Sequence, residues 1–177
     1  MRLSRTNVRR FFSALMATGC VLSASAIPAG ADVTLFSGVR EENRLRAFQE
    51  QSGQLNATDR YKLYIPAEKL TTEISRVVIS YPEAYNGEFD ADDIELRIRR
   101  QEVPLENVIW NEENLTVELV LEDPLPARTR RVAVVFSNVE NPGNTGTHHF
   151  NAYIQAPTET QLPPRYIGTW ILQFGRV

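Results

Sequence analysis

Residues Asn138–Ala156 read NVENPGNTGTHHFNAYIQA. The stretch holds a proline, two glycines and the chain's only two histidines, His148 and His149. Uncommon residues packed this densely suggest either a site or a corner between strands. The residues that follow decide for the corner. Phe150, Ala152 and Ile154 alternate with His149, Asn151, Tyr153 and Gln155, which is the period-two pattern of a half-buried strand. Asn141–Pro142 closes the preceding strand, since proline lacks a ladder donor. Gly143, Asn144 and Gly146 are then free to take positive φ in the turn.

The alternation extends outward in both directions. Upstream, Val132, Val134 and Phe136 share a face. Before them come Leu115, Val117, Leu119 and Leu121, then Ile94, Leu96 and Ile98, then Ile74–Ser80 (ISRVVIS), then Tyr61, Leu63 and Ile65. Downstream, Trp170, Leu172 and Phe174 repeat the pattern. Asn111–Asn114 (NEEN) reads as a polar hairpin turn. Prolines 82, 104, 124, 126, 142, 157, 163 and 164 are expected at strand boundaries. Seven or more short strands, one face apolar and the other polar, predict an all-β, immunoglobulin-like antiparallel β-sandwich. A jelly roll or partly closed barrel is the alternative.

The N-terminal part is less regular. Val33–Phe36 (VTLF) suits a short strand. Glu41–Gln51 (EENRLRAFQEQ) suits one or two helical turns or a long loop, stopped by Gly53. The expected organisation is an export signal at 1–31, a poorly defined segment at 32–58 and the sandwich at 59–177.

The signal follows from four arginines, Arg2, Arg5, Arg9 and Arg10, before the apolar run FFSALMATGCVLSASAIPAGA. Ala24–Ser25–Ala26 and Ala29–Gly30–Ala31 both suit cleavage, the second leaving Asp32 first. Arg9–Arg10–Phe11–Phe12 resembles a twin-arginine signal. Ala17–Thr18–Gly19–Cys20 loosely resembles a lipoprotein box, without the usual leucine. Membrane contact is therefore expected only through lipidation at Cys20 or a retained signal. Cleavage would remove the sole cysteine, and with it any disulfide or thiol chemistry. Removing the four signal arginines from 19 basic residues leaves 15 against 22 acidic ones, a formal −7. That balance argues against nucleic acid as a partner. Two small groups, Arg97, Arg99 and Arg100, and Arg128, Arg130 and Arg131, read as charges on strand rims.

Candidate chemistry is sparse. Neighbouring strand residues point to opposite faces, so His148 and His149 do not converge on one metal, and Asn151 is a poor third ligand. Both are expected as exposed or hydrogen-bonded turn residues. Glu88–Asp93 (EFDADD) offers the carboxylates of Glu88, Asp90, Asp92 and Asp93 as weak calcium candidates. The plain alternative is a solvated loop with Phe89 turned inward. Glu112 and Glu113 beside Trp110 could line a sugar groove. Tyr81, Tyr85 and Phe89 around a loop, with Tyr61, Tyr64, Tyr153 and Tyr166, could form an aromatic recognition patch. Edge strands offer augmentation by a partner's strand. Nucleophile elbows and phosphate-cradling glycine loops are absent from the sequence. No catalytic residue and no cofactor is expected.

The segment Asp59–Val177 resembles an uncharacterised exported family, a domain of unknown function known mainly from cyanobacteria. The resemblance is carried by Asp123–Pro124–Leu125–Pro126, Val132–Phe136, Val139–Glu140–Asn141–Pro142, Gly146, Phe150–Ile154, Ala156–Pro157 and Tyr166–Ile167–Gly168. Tyr61–Pro66, Leu70 and Ile74–Ile79 fit its first clear strands. Glu140 stands where the family often has arginine. Gly146–Thr147 replaces paired glycines, and Thr169–Trp170–Ile171 replaces a glycine and a basic residue. The resemblance implies a domain of the periplasm or thylakoid lumen, possessing no transferable site residues. The expected function is non-enzymatic, structural or partner-binding, with an unidentified envelope or lumenal protein as partner. A carbohydrate- or calcium-dependent binding module is the alternative, and a hydrolase the third.

Overall fold

The computed structural model describes residues 38–175. The export signal, Cys20 and the strand expected at Val33–Phe36 lie outside them. Two sheets pack face to face. The first has six strands: β1 (Arg44–Leu45), β11 (Arg165–Phe174), β10 (Gly146–Gln155), β4 (Ile74–Ser80), β8 (Thr116–Leu125) and β7 (Leu105–Asn111), in that order. The second has five: β2 (Ala47–Gln49), β3 (Thr58–Ile65), β9 (Val132–Glu140), β5 (Ile94–Ile98) and β6 (Gln101–Val103). This is the expected immunoglobulin-like sandwich.

The alternating residues of each strand meet in the middle. Tyr61, Leu63 and Ile65 of β3, Leu96 of β5 and Val134 and Phe136 of β9 face Ile79 of β4, Val117 and Leu119 of β8, Phe150 and Ala152 of β10, and Trp170 and Leu172 of β11. Each large apolar side chain buried this way contributes roughly 1.5–3 kcal/mol. Trp170 also ties the layers together: its indole N–H donates to the Tyr64 carbonyl at 3.1 Å, from β11 of one sheet to β3 of the other.

The Asn138–Ala156 corner carries the chain between layers, because β9 belongs to the five-stranded sheet and β10 to the six-stranded one. Gly143 and Gly146 do not take positive φ there; Asn138 does, at 53°. Asn141 anchors the corner instead. Its backbone N–H donates to Ala57 at 3.0 Å, and its buried side chain accepts from the Tyr61 hydroxyl and donates to the Gln54 carbonyl at 2.8 Å and to Asp59 at 3.2 Å.

The segment expected to be helical or loop-like is part of the sandwich. Glu41–Asn43 forms one 3-10 turn, then β1 joins one sheet and β2 the other. The sandwich thus begins before Asp59. The pairing of β1 with β11 is parallel, against the antiparallel rule elsewhere, with Arg44 opposite Thr169 and Leu45 opposite Trp170. Gly168 permits it: a Cβ there would lie 2.7 Å from the Asn43 carbonyl oxygen. Pro124 departs from the boundary expectation, since it lies inside β8. Pairing of β8 with β4 jumps from Val120 to Leu125, and its pairing with β7 stops at Leu121, so the missing N–H of Pro124 breaks no ladder.

Candidate functional site

The histidines part company. His149 is exposed, whereas His148 is buried, edge-on to Tyr85 and Phe174 with ring centroids 5.5 Å apart in each case. The expectation of two turn histidines fails for His148 because β10 starts at Gly146. His148 therefore shares the inward phase of Phe150. Burial, then the neighbouring His149, lowers its pKa. Its Nε2 has no hydrogen-bond partner.

The acidic loop is built around Phe89, which is buried as expected. Its ring stacks on Tyr85 at 5.4 Å and contacts Trp110 and Phe136 edge-on or tilted. The carboxylates serve the loop. Asp90 caps the 3-10 turn Ala91–Asp93 by accepting the Asp92 N–H at 3.1 Å. Asp93 accepts from the Asn138 side chain, and Glu88 forms a backbone bridge with Glu140. Among the described residues no three acidic, histidine or cysteine side chains gather around a common point.

The aromatic patch is mostly interior. Tyr61, Tyr81 and Tyr85 are buried, not rim residues. Tyr61 and Tyr85 hydroxyls lie 3.2 Å apart, and burial is the main cause raising both phenol pKa values above the ordinary range. Trp110 donates its N–H to the Tyr81 hydroxyl at 2.8 Å and packs on Phe89. Glu112 and Glu113 sit exposed in the following turn, and Trp110 itself is half-buried. Tyr153 and Tyr166 do meet at the surface, 5.7 Å apart.

The compact feature lies on the outer face of the five-stranded sheet. Lys62 and Tyr64 of β3 point outward, as do Ala133 and Val135 of β9 and Glu95 and Arg97 of β5. Register aligns them in two rows. Tyr64, Ala133, Arg97 and Glu102 form one; Lys62, Val135 and Glu95 form the other. The small Ala133 leaves a hollow between Tyr64 and Arg97. Two adjoining depressions of about 400 Å³ each share Tyr64, Arg97, Arg99 and Ala133. Arg130 and Arg131 close one of them, and Lys62 and Arg100 the other. Arg131 lies 4.9 Å above the Tyr64 ring and Arg46 5.7 Å from it, distances at which the ring quadrupole holds a guanidinium. Arg97 is paired with Glu95, and Lys62 with Glu50 at 2.7 Å. Among the described residues Arg99, Arg100, Arg130 and Arg131 have no salt-bridge partner.

The two arginine groups expected on strand rims thus meet in one patch, except Arg128, which lines neither hollow. Their sequence signal was visible, but their meeting depends on β5 pairing with β9, whose partner cannot be read from either strand's own pattern. The patch can bind anions by guanidinium hydrogen bonds and charge.

The collagen-binding domain from a Staphylococcus aureus adhesin aligns at 7% identity with a TM-score of 0.41, over 75% of this chain and 97% of that one. BcpA, the major pilin subunit of Bacillus cereus, aligns at 9% and 0.45, over 73% of this chain and 39% of the pilin. An uncharacterised Nocardia farcinica protein with an immunoglobulin-like fold aligns at 11% and 0.41, over 75% and 99%. Likenesses this distant carry no functional information. No curated protein matches the chain. A family model described as a protein of unknown function (DUF2808) matches residues 33–174, reaching further toward the N-terminus than the resemblance from Asp59 onward, and the chain belongs to that family.

Proposed function

We propose that this is a non-enzymatic, exported domain of the envelope or lumen that works by holding a partner, and that the partner is anionic. The observation that carries the reading is the convergence of Lys62, Arg97, Arg99, Arg100, Arg130 and Arg131 on one pair of hollows. A chain with 22 acidic and 19 basic residues does not collect cations in one place by composition alone. Like charges drawn together repel one another, and a bound anion offsets that cost. The basic signal segment, Arg2 to Arg10, supports the exported location.

The test is equilibrium binding of the chain beginning at Asp32 to a set of soluble polyanions: a polyuronate, a sulfated glycan, polyglutamate and DNA. Saturable binding to one of them, weakened by added salt and by the double variant R97E/R131E, is the expected result. No binding to any member sinks the proposal.

A further inference from the structure

We infer that the anionic partner is a carboxylated polysaccharide, a uronate polymer lying across the Tyr64–Ala133–Arg97 row. This rests on the anion-binding reading above and narrows it. The floor of the hollow is Tyr64, Ala133 and Arg97, on central strands whose backbone groups face their ladder partners, so the floor presents side chains. A peptide that docks through its own backbone goes to a strand edge, such as β6 or β2, and gains nothing from a face. A sugar polymer makes no such demand. Its carboxylates suit the planar guanidinium fork, and its hydroxyls suit the remaining N–H groups.

Charge density points the same way. Glu95 and Glu50 already partner Arg97 and Lys62, and Glu102 ends the Arg97 row. Acids interleaved with the arginines oppose a densely charged strand such as a nucleic acid or a heavily sulfated glycan. They tolerate a polymer with one carboxylate per ring. A membrane surface is a poor match too. Basic membrane-binding faces carry projecting apolar side chains. Of the exposed large hydrophobics Phe48, Ile109, Leu162 and Tyr166, only Phe48, opposite Lys62, belongs to this sheet. Arg131 rests 4.9 Å from the Tyr64 ring, a contact that lowers the ordering cost of a guanidinium that grips a carboxylate.

The experiment compares the affinity of the Asp32-start chain for a polyuronate with that for a sulfated glycan, polyglutamate, DNA and anionic lipid vesicles. Three variants are used, each checked for an unchanged melting curve. R97E/R131E should lower polyuronate affinity about tenfold or more. R97K/R131K keeps the charge and removes the fork, and should also weaken binding. Ala133→Phe fills the hollow at unchanged charge and should weaken it as well. Tightest binding to the polyuronate, with losses in all three variants, is the expected result. Tighter binding to another probe overturns the polysaccharide assignment and leaves the anion-binding reading standing. Full affinity in A133F or R97K/R131K overturns the assigned row. Binding to no probe overturns both.

Discussion

Replacing Asn141 by alanine should cost the domain about 3–5 kcal/mol, because its side chain makes three buried or half-buried hydrogen bonds at the corner between the sheets. The neutral bonds, from the Tyr61 hydroxyl and to the Gln54 carbonyl, contribute about 1 kcal/mol each, and the one to the Asp59 carboxylate roughly 1.5–3 kcal/mol. The neighbours limit the damage. Tyr61 keeps the Tyr85 hydroxyl at 3.2 Å, and Asp59 keeps the Gln51 and Arg60 N–H groups at 2.8 and 2.6 Å. A domain stable by about 5–15 kcal/mol survives such a loss but shows it plainly. The assay is urea unfolding followed by tryptophan fluorescence, since Trp170 is fully buried. Asn144→Ala is the control. Its side chain is exposed and makes one bond at 3.4 Å to Ala84, so its effect should stay within about 0.5 kcal/mol. Tyr61→Phe combined with Asn141→Ala should cost less than the sum of the singles by about 1 kcal/mol, the bond they share. A loss below about 1 kcal/mol for N141A at unchanged slope, or strict additivity in the double variant, would refute the role given to Asn141.

His148 has a lowered pKa, so the unfolded chain takes up its proton first as pH falls below about 6.5; stability should drop there by at most about 1.4 kcal/mol per pH unit for this one group. The variant H148F should flatten that acid limb, and an unaltered limb would contradict the burial argument. Tyr61 has a raised pKa, so its contribution is present below about pH 10 and lost as the unfolded phenol ionises above it; Y61F should reduce the alkaline loss seen by circular dichroism. Gly168→Ala would place a Cβ 2.7 Å from both the Asn43 carbonyl oxygen and Leu45 Cγ, and should release β1, seen as faster amide exchange at Leu45 with β10 unaffected. Protection unchanged at Leu45 would show that the approach can relax. Millimolar calcium should leave the melting temperature where it is, since Asp90 caps its own turn and Asp93 is bonded to Asn138 of β9. A saturable rise would show that Glu88, Asp90, Asp92 and Asp93 gather after all.

Much of the sandwich was legible because its long strands alternate. Ile74–Ser80 and Ile94–Ile98 form strands over the expected residues, and Phe89 turned inward as read. β1 and β2 are not legible in the sequence because two and three residues are too few to show a period. The parity of His148 with Phe150 places it inward once β10 is known to start at Gly146, a boundary the alternation alone does not fix. The depth of Tyr81 and Tyr85 is not legible, because loop position says nothing about burial. A loop here folds back over the open end of the sandwich and plugs it with rings. The arginine face was the largest gap. Each group stood in plain view, but the register that joins them is a property of three strands at once.

The parallel contact between β1 and β11 sets the order of assembly. Arg44 and Leu45 leave the ribosome early, yet their partners Thr169 and Trp170 arrive more than a hundred residues later. One edge of the six-stranded sheet therefore stays open until β11 has been made. Pairings between such distant segments also carry a large loop-closure cost before they reward the chain, which slows folding. Until β11 emerges the sandwich is incomplete, and the chain before it is an open thread that a translocation or chaperone system can still handle.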